Sequence, residues 1–343
     1  MTAPAMQDNQ LPAPAQILQI ITNFWNSRAV YVIAKLGIAD LLKSGPRSAE
    51  DLADSTGMHA PSLYRVLRAV ASAGILSPEQ DGRFGLTPLS ELLVTDTPGS
   101  MRWFVMSELG QEHYPAWGNL MHSVETGEIA FDNFFGTDIW KYFQKHPDDA
   151  AVFNDSMSGM TAVVNEKITS LYDFSRFNKI VDVGGGHGGL ITSILTANPQ
   201  AFGVLFDATE VVAGARPKLE AAGIADRCAA VAGDFFQSVP TGGDAYIMKW
   251  IIHDWDDARA IRILKNCRSQ MPQNGRVIIV DCVVPEGNQP DFSKFFDLNM
   301  LVMTGGKERT AKEFDQLLAA ADLRFLRVIP TELPTSIIEA EPR

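Results

Sequence analysis

A chain of 343 residues is long enough for two domains, and with 46% hydrophobic against 20% charged residues it can bury a full core and lacks the composition of a disordered protein. Its formal net charge of −12 argues against nucleic acid and anionic membranes as partners, because phosphate contacts need a surplus of Lys and Arg. No apolar run approaches the roughly 18 residues of a membrane span, residues 1–16 lack the basic-then-apolar order of a signal peptide, and Cys228, Cys267 and Cys282 show neither paired nor zinc-type spacing, so they read as reduced core residues of a cytoplasmic protein.

Residues 1–14, rich in Ala, Pro and Gln, predict an unstructured segment. From 15 to 42 the pattern is helical, but Ile17, Leu18, Ile20, Ile21, Phe24, Trp25, Val30, Ile33 and Leu36 cover far more than one stripe. A helix apolar nearly all round must be buried on several sides, which so early in a chain favours a second subunit. Residues 47–92 predict a capped helix after Ser48, a second helix with Leu63, Val66, Leu67 and Val70 inward, and a hairpin turning at Asp81-Gly82. That is a helix-turn-helix with a wing. Its second helix offers only Arg65 and Arg68 as cations, so base readout is poorly supported and assembly or substrate enclosure is the better reading. Residues 93–170 predict further helices heavy in Met and aromatics, among them Trp117, Phe131, Phe153 and Met157; most belong to a core, and a subset would line a pocket for a flat ligand.

Residues 180–190 form the sharpest local signal. An apolar β-branched run ends at Asp182, glycines crowd the turn, and a helical pattern resumes at Ile191. Read through Asp182, Gly184, Gly186 and Gly188 the loop is one that holds the amino-acid end of S-adenosylmethionine; read through Gly184, Gly186 and Gly189 it also satisfies the dinucleotide fingerprint. Asp207 ends the next strand, where either cofactor places ribose hydroxyls. An adenosine-containing cofactor is predicted and its identity left open.

Strands are predicted at 179–183, 202–207, 228–232, 244–249 and 276–283 with helices between them, hence a parallel sheet with right-handed crossovers. Runs at 324–329 and 336–339, separated by Pro330 and Pro334, predict a closing antiparallel pair. Ligands in such sheets sit at the carboxyl ends of the strands, where Asp182, Asp207, Asp234 and residues 250–257 fall.

With these positions placed, the chain resembles the S-adenosylmethionine-dependent O-methyltransferases of plant caffeate and flavonoid methylation and of bacterial polyketide and phenazine tailoring. Five motifs carry the likeness: Val181-Asp182-Val183-Gly184-Gly185-Gly186, Gly233-Asp234-Phe235-Phe236, Met248-Lys249-Trp250-Ile251-Ile252-His253-Asp254-Trp255, Leu264-Lys265-Asn266-Cys267 and Gly305-Gly306-Lys307-Glu308-Arg309-Thr310. The resemblance implies a Rossmann-like seven-stranded methyltransferase sheet over 173–343, a helical linker carrying pocket helices over 101–172, and an all-α/winged-helix dimerisation domain over 15–100 that makes a homodimer. It implies S-adenosyl-L-methionine as cofactor, held by Asp182, Gly184 and Gly186, by Asp207 at the ribose, by Asp234, Phe235 and Trp255 near the adenine, and by Lys249. His253 matches the general base; Glu308 matches one of two acids flanking it, and the other family position, usually Glu, is Asp281 here. Phe153, Met157, Trp250, Met300 and Met303 stand where an aromatic acceptor would be touched, and no metal is implied. His187 occupies a place where small polar residues are commoner in the family and receives no role.

Methyl transfer from a sulfonium is an in-line displacement, so alignment comes first and supply of an oxyanion second. A phenol near pKa 10 and a histidine near 6.5 differ by about 3.5 units, roughly 5 kcal/mol against full proton transfer in water. His253 is therefore useful only with an acid behind it. A neutral ring nitrogen would need no base, which keeps N-methylation open, and a relative that keeps the cofactor while performing hydroxylation or decarboxylation is a further alternative.

Overall fold

A computed structural model describes residues 11–97 and 99–343. The chain divides into two compact units, residues 1–110 and 111–343. Of the expected unstructured segment, residues 1–10 lie outside the described residues. Its end is already helical, because the helix Ala13–Lys35 starts two residues earlier than the periodicity indicated. Pro14 sits in its first turn, where a missing N–H costs nothing.

The single helix expected over 15–42 is broken. Gly37 takes φ 63° and ends the first helix before a short turn, Ile38–Leu41. The apolar surface of Ala13–Lys35 is divided too: Tyr31, Ile33 and Ala34 are buried, whereas Ile17, Leu18, Ile20, Ile21, Phe24 and Trp25 stay exposed, Trp25 at 63%. The helix Ala49–Thr56 starts on Ser48, whose hydroxyl accepts from Asp51 N–H at 3.1 Å, and the helix Ala60–Ser72 follows. Strands β1 (Leu76–Pro78) and β2 (Phe84–Leu86) pair antiparallel as the wing, closing a core of Leu52, Leu63, Leu67, Val70, Leu76 and Phe84. The helix Arg102–Glu108 stays with this unit, and Arg102 donates to Ala34 O at 2.8 Å.

The second unit is built on β3 (Lys179–Val183), β4 (Phe202–Asp207), β5 (Cys228–Ala232), β6 (Ala245–Lys249), β7 (Arg276–Cys282), β8 (Leu323–Pro330) and β9 (Thr335–Pro342). Their order is β5-β4-β3-β6-β7-β9-β8, parallel through β7 and antiparallel at β9 and β8. Residues 245–248 and 277–282 are buried without alternation, as strands covered by helices on both faces must be. The antiparallel pair runs longer than its β-branched cores, with Pro330 and Pro342 at strand ends, where a missing donor is tolerated. The strand order reverses between β3 and β6, so a crevice opens there at the carboxyl ends. Beside it, Ala116, Phe131, Ile139, Tyr142 and Phe143 pack with Val302 and Met303 of the helix Phe292–Met303.

Candidate active site

β6 ends at Lys249, and the chain leaves it through Trp250, whose φ of 56° is one that a bulky residue rarely adopts. A one-turn 3-10 helix, Ile252–Asp254, then buries His253 at 6% exposure. The glycine pair from far along the chain closes over this turn. Lys307 N–H donates to His253 O at 2.9 Å, and a Cβ on Gly306 would stand 1.9 Å from that same oxygen, so only glycine fits. Arg309, fully buried, donates to Ile252 O (3.1 Å), Trp255 O (2.8 Å) and Asp257 Oδ1 (2.8 Å), which holds both ends of the turn. This clamp is the physical reason that Gly305–Arg309 and Met248–Trp255 belong together.

Within it His253 Nδ1 meets Glu308 Oε1 at 2.7 Å, both residues buried. A carboxylate oxygen can only accept, so opposite the Glu308 carboxylate Nδ1 carries a proton and Nε2 is the atom left for chemistry. Nε2 lies 3.8 Å from Asp254 Oδ1, and the Phe296 ring lies 5.8 Å from the imidazole. Asp281, on β7, is 0% exposed and neither of its oxygens has a hydrogen-bond partner among the described residues. Burial alone would push His253 down; the Glu308 and Asp281 charges, the Glu308 hydrogen bond and Asp254 outweigh it and raise the imidazolium to about 10. Burial raises Asp281 as well, against the pull of His253, and lifts Asp254 to about 6.

One strand away the glycine loop separates two uses of glycine. Gly184 (φ 70°), Gly186 (φ 58°) and Gly188 (φ 82°) all need the left-handed region. A Cβ on Gly184 would strike Ile251 at 2.4 Å and one on Gly185 would strike Leu205 at 2.4 Å, so these serve internal packing. A Cβ on Gly186 would meet nothing within 4 Å; that backbone faces open space. Gly186 N–H donates to Asp207 Oδ2 (2.8 Å) and Ala208 N–H to Asp207 Oδ1 (2.7 Å), leaving each oxygen a further acceptor position for a ribose hydroxyl. Asp182 is 1% exposed with Oδ2 unpartnered among the described residues. Burial raises it against the opposing charge of Lys249; burial lowers Lys249 against Asp182. Phe235 and Phe236 set their edges on Trp255, with centroids 6.1 and 4.8 Å away, and the exposed Asp234 accepts from Phe236 N–H at 2.8 Å. Open backbone, free acceptor positions at the strand end, a buried acid with one oxygen unpartnered among the described residues and an aromatic rim fit an adenosine that carries a cationic centre.

The expected acceptor residues are distributed unevenly. Met300 is buried on Phe292–Met303, the helix that also brings Phe296 to His253. Met303 and Phe153 pack into the aromatic cluster, Phe153 stacked on Phe143 at 4.9 Å, and Met157 follows one turn after Phe153 on the helix Pro147–Leu171. Trp250 carries the Lys249 ammonium 4.6 Å over its ring and packs on the core beneath the sheet. His187 finds a structural account: Lys218 donates to its Nδ1 at 3.0 Å, tying the glycine loop to the helix Thr209–Ala221. Sequence reasoning missed the Arg309 clamp and two buried amides. One is Asn165, accepting from Lys249 at 3.1 Å; the other is Asn299, accepting from Trp117 Nε1 at 2.7 Å. Arg309 stood inside a recognised motif, but the amides carried no sequence signal.

Residues 117–324 match the model of the O-methyltransferase domain, and residues 18–96 match that of the O-methyltransferase dimerisation domain. The chain is 47% identical to the phenazine O-methyltransferase PhzM of Lysobacter antibioticus over 97% of both chains. It is 33% identical to the phenazine-1-carboxylate N-methyltransferase of Pseudomonas aeruginosa, covering 98% of this chain and 99% of that one. Among solved structures it is similar, at TM-score 0.85 and 30% identity over 98% of this chain and all of the other, to an O-methyltransferase from neocarzinostatin biosynthesis in complex with S-adenosylmethionine and 2-hydroxy-5-methyl naphthoic acid. No helix among the described residues is long and apolar enough to cross a membrane.

Proposed function

We propose, for a chain that belongs to the S-adenosylmethionine-dependent O-methyltransferases of phenazine and polyketide tailoring, that it methylates a hydroxyl of a flat aromatic small molecule of phenazine type, with His253 as general base. The observation that carries this reading is the buried 2.7 Å contact between His253 Nδ1 and Glu308 Oε1. The bound cofactor supplies an electrophilic methyl group on a sulfonium.

The chain's residues do the rest. Gly186 and the Asp207 carboxylate would hold the nucleoside and amino-acid ends against the loop that Gly184 packs in place; Asp182 and Lys249 would lie beneath it, and Asp234, Phe235 and Trp255 would border the adenine. His253 Nε2 takes the hydroxyl proton while Glu308 and Asp281 hold the imidazolium that forms. With that imidazolium raised to about 10, the gap to a phenol near 10 closes from the roughly 5 kcal/mol it would be in water to near zero. The same shift means that the resting imidazole is protonated at neutral pH and must shed that proton first, so the rate should climb on the alkaline side. Met157 and Met300 would form apolar walls, backed by Phe153 and Met303 of the aromatic cluster, while Trp250 packs away from them on the core beneath the sheet. The exposed face of Ala13–Lys35 pairs two copies, and the protein works in the cytoplasm, where its three buried free thiols stay reduced.

The test is methyl transfer from labelled cofactor to a panel of hydroxyphenazines, phenols, naphthoates and aromatic amines, with His253→Gln beside the native chain. Label on a hydroxyl, lost by orders of magnitude in the variant, supports the reading. Label on a ring nitrogen or amine at an unchanged rate in the variant establishes the base-free N-methylation alternative.

A further inference from the structure

Asn299 is a polar side chain set in an apolar wall. It is 6% exposed on the helix Phe292–Met303, beside Met300 and three residues after Phe296, whose ring lies 5.8 Å from that of His253. Residues three apart share a helix face about 5 Å along the axis, so Asn299 and Phe296 look toward the same space. Trp117 Nε1 is 2.7 Å from Asn299 Oδ1. An indole nitrogen can only donate, so chemistry fixes which end of the amide is which: its oxygen faces Trp117 and its NH2 group faces away. Among the described residues that NH2 group has no hydrogen-bond partner. Trp117 is itself packed in the cluster of Phe131, Phe143 and Met303, so it holds the amide in place. The group is not sealed from solvent, so it opens on space that water or a ligand can enter, and a ligand atom that accepts from it replaces that water.

We infer that Asn299 determines acceptor specificity: its amide N–H donates to a hydrogen-bond-accepting atom that the aromatic acceptor carries near the hydroxyl to be methylated, either a ring nitrogen or a quinone or carboxylate oxygen, and Trp117 is the positioning residue that aims it. The inference rests on the O-methyltransferase reading above. A hydrocarbon ring of identical outline leaves the donor unpaired, and pockets built to hydrogen-bond a substrate reject such analogues far more strongly than pockets that only add or lose a methylene.

The experiment compares kcat/KM for 1-hydroxyphenazine and 1-hydroxyanthracene, which share shape and hydroxyl position and differ in the ring nitrogens. The native enzyme should prefer the phenazine by about 10- to 100-fold. Asn299→Leu removes the amide, while Asn299→Asp keeps an oxygen for Trp117 and replaces the donor by a second carboxylate oxygen, whose added charge acts on both acceptors alike and so leaves their ratio to report the donor. Each should bring the ratio to within about threefold of one, through loss at the phenazine and not gain at the anthracene. Trp117→Phe should give an intermediate ratio. A native ratio near one, a ratio unchanged in the Asn299 variants, or equal losses on both acceptors overturns the inference. Should Asn299→Leu fail to fold, Asn299→Asp and the native ratio still decide. Failure of the underlying reading looks different: no label on either hydroxyl although cofactor binds, or no loss of either rate in His253→Gln.

Discussion

Two buried carboxylates on one pair of neighbouring strands are treated in opposite ways. Glu339 on β9, 2% exposed, accepts from Tyr172 Oη at 2.8 Å, from Arg327 at 2.7 Å and from Arg176, with Arg276 at 3.4 Å. Burial would raise it, but this set of donors holds it below the usual carboxylate range. Asp281 on β7, three positions along the same ladder, is 0% exposed with no hydrogen bond among the described residues, and burial pushes it up. An acid supplied with every donor it can use ties a sheet to the helix beneath it. An acid denied them has nothing left to act on but the charge of its neighbour, here His253.

The largest effect that would test this contrast is on His253. His253→Gln should lower kcat by about 10²- to 10⁴-fold while the cofactor dissociation constant, read by calorimetry, stays within about threefold. Glu308→Gln should cost about 10- to 100-fold and move the alkaline rise of the rate to lower pH, since the charge that raises the imidazolium is gone. The same shift governs stability. A histidine raised from 6.5 to about 10 stabilises the fold fully below pH 6.5 and loses that contribution as pH rises through 10. Urea titrations of the cofactor-free native chain should therefore weaken across that window, and those of Glu308→Gln should weaken less.

On the structural side, Glu339→Gln should destabilise by about 2–4 kcal/mol at neutral pH with kcat unchanged, because Tyr172 and the arginines lose a charged acceptor. Gly186→Ala should cost only about 1–2 kcal/mol of stability, from its left-handed backbone, yet weaken the cofactor by tenfold or more, since its new methyl enters ligand space. The smallest change belongs to Asp281. An acid with a raised pKa favours the fold only while it keeps its proton, so Asp281→Asn should gain about 1 kcal/mol over the native chain at pH 8 and little at pH 4. Should Asp281→Asn and Glu339→Gln move stability in the same direction, the contrast between the two acids fails.

Much of this was written into the chain. The apolar runs placed β3, β4 and β5 at the residues the structure assigns to them and located the other strands of the second unit, most of them buried on both faces, where a strand has few alternatives. Asp182, Gly184, Gly186 and Asp207 could be set at one crevice from order alone, since parallel strands bring their carboxyl ends together. Ser48 announced its cap, and its hydroxyl accepts from Asp51 N–H as that reading requires. The break at Gly37 was less legible, because apolar periodicity continues across it and only the left-handed backbone ends the helix.

Composition, period and motif order thus determined the fold class, the strand ends where a cofactor can lie and the histidine worth watching, because each depends on neighbours along the chain. What His253 and Asn299 can do was decided only in three dimensions. Glu308 reaches His253 across 55 residues and Trp117 reaches Asn299 across 182, and no local pattern records which buried acid finds its donors and which buried amide is left with one to give. A proton affinity and a free N–H are sums over everything packed around a group, so they exist only once the sheet has closed.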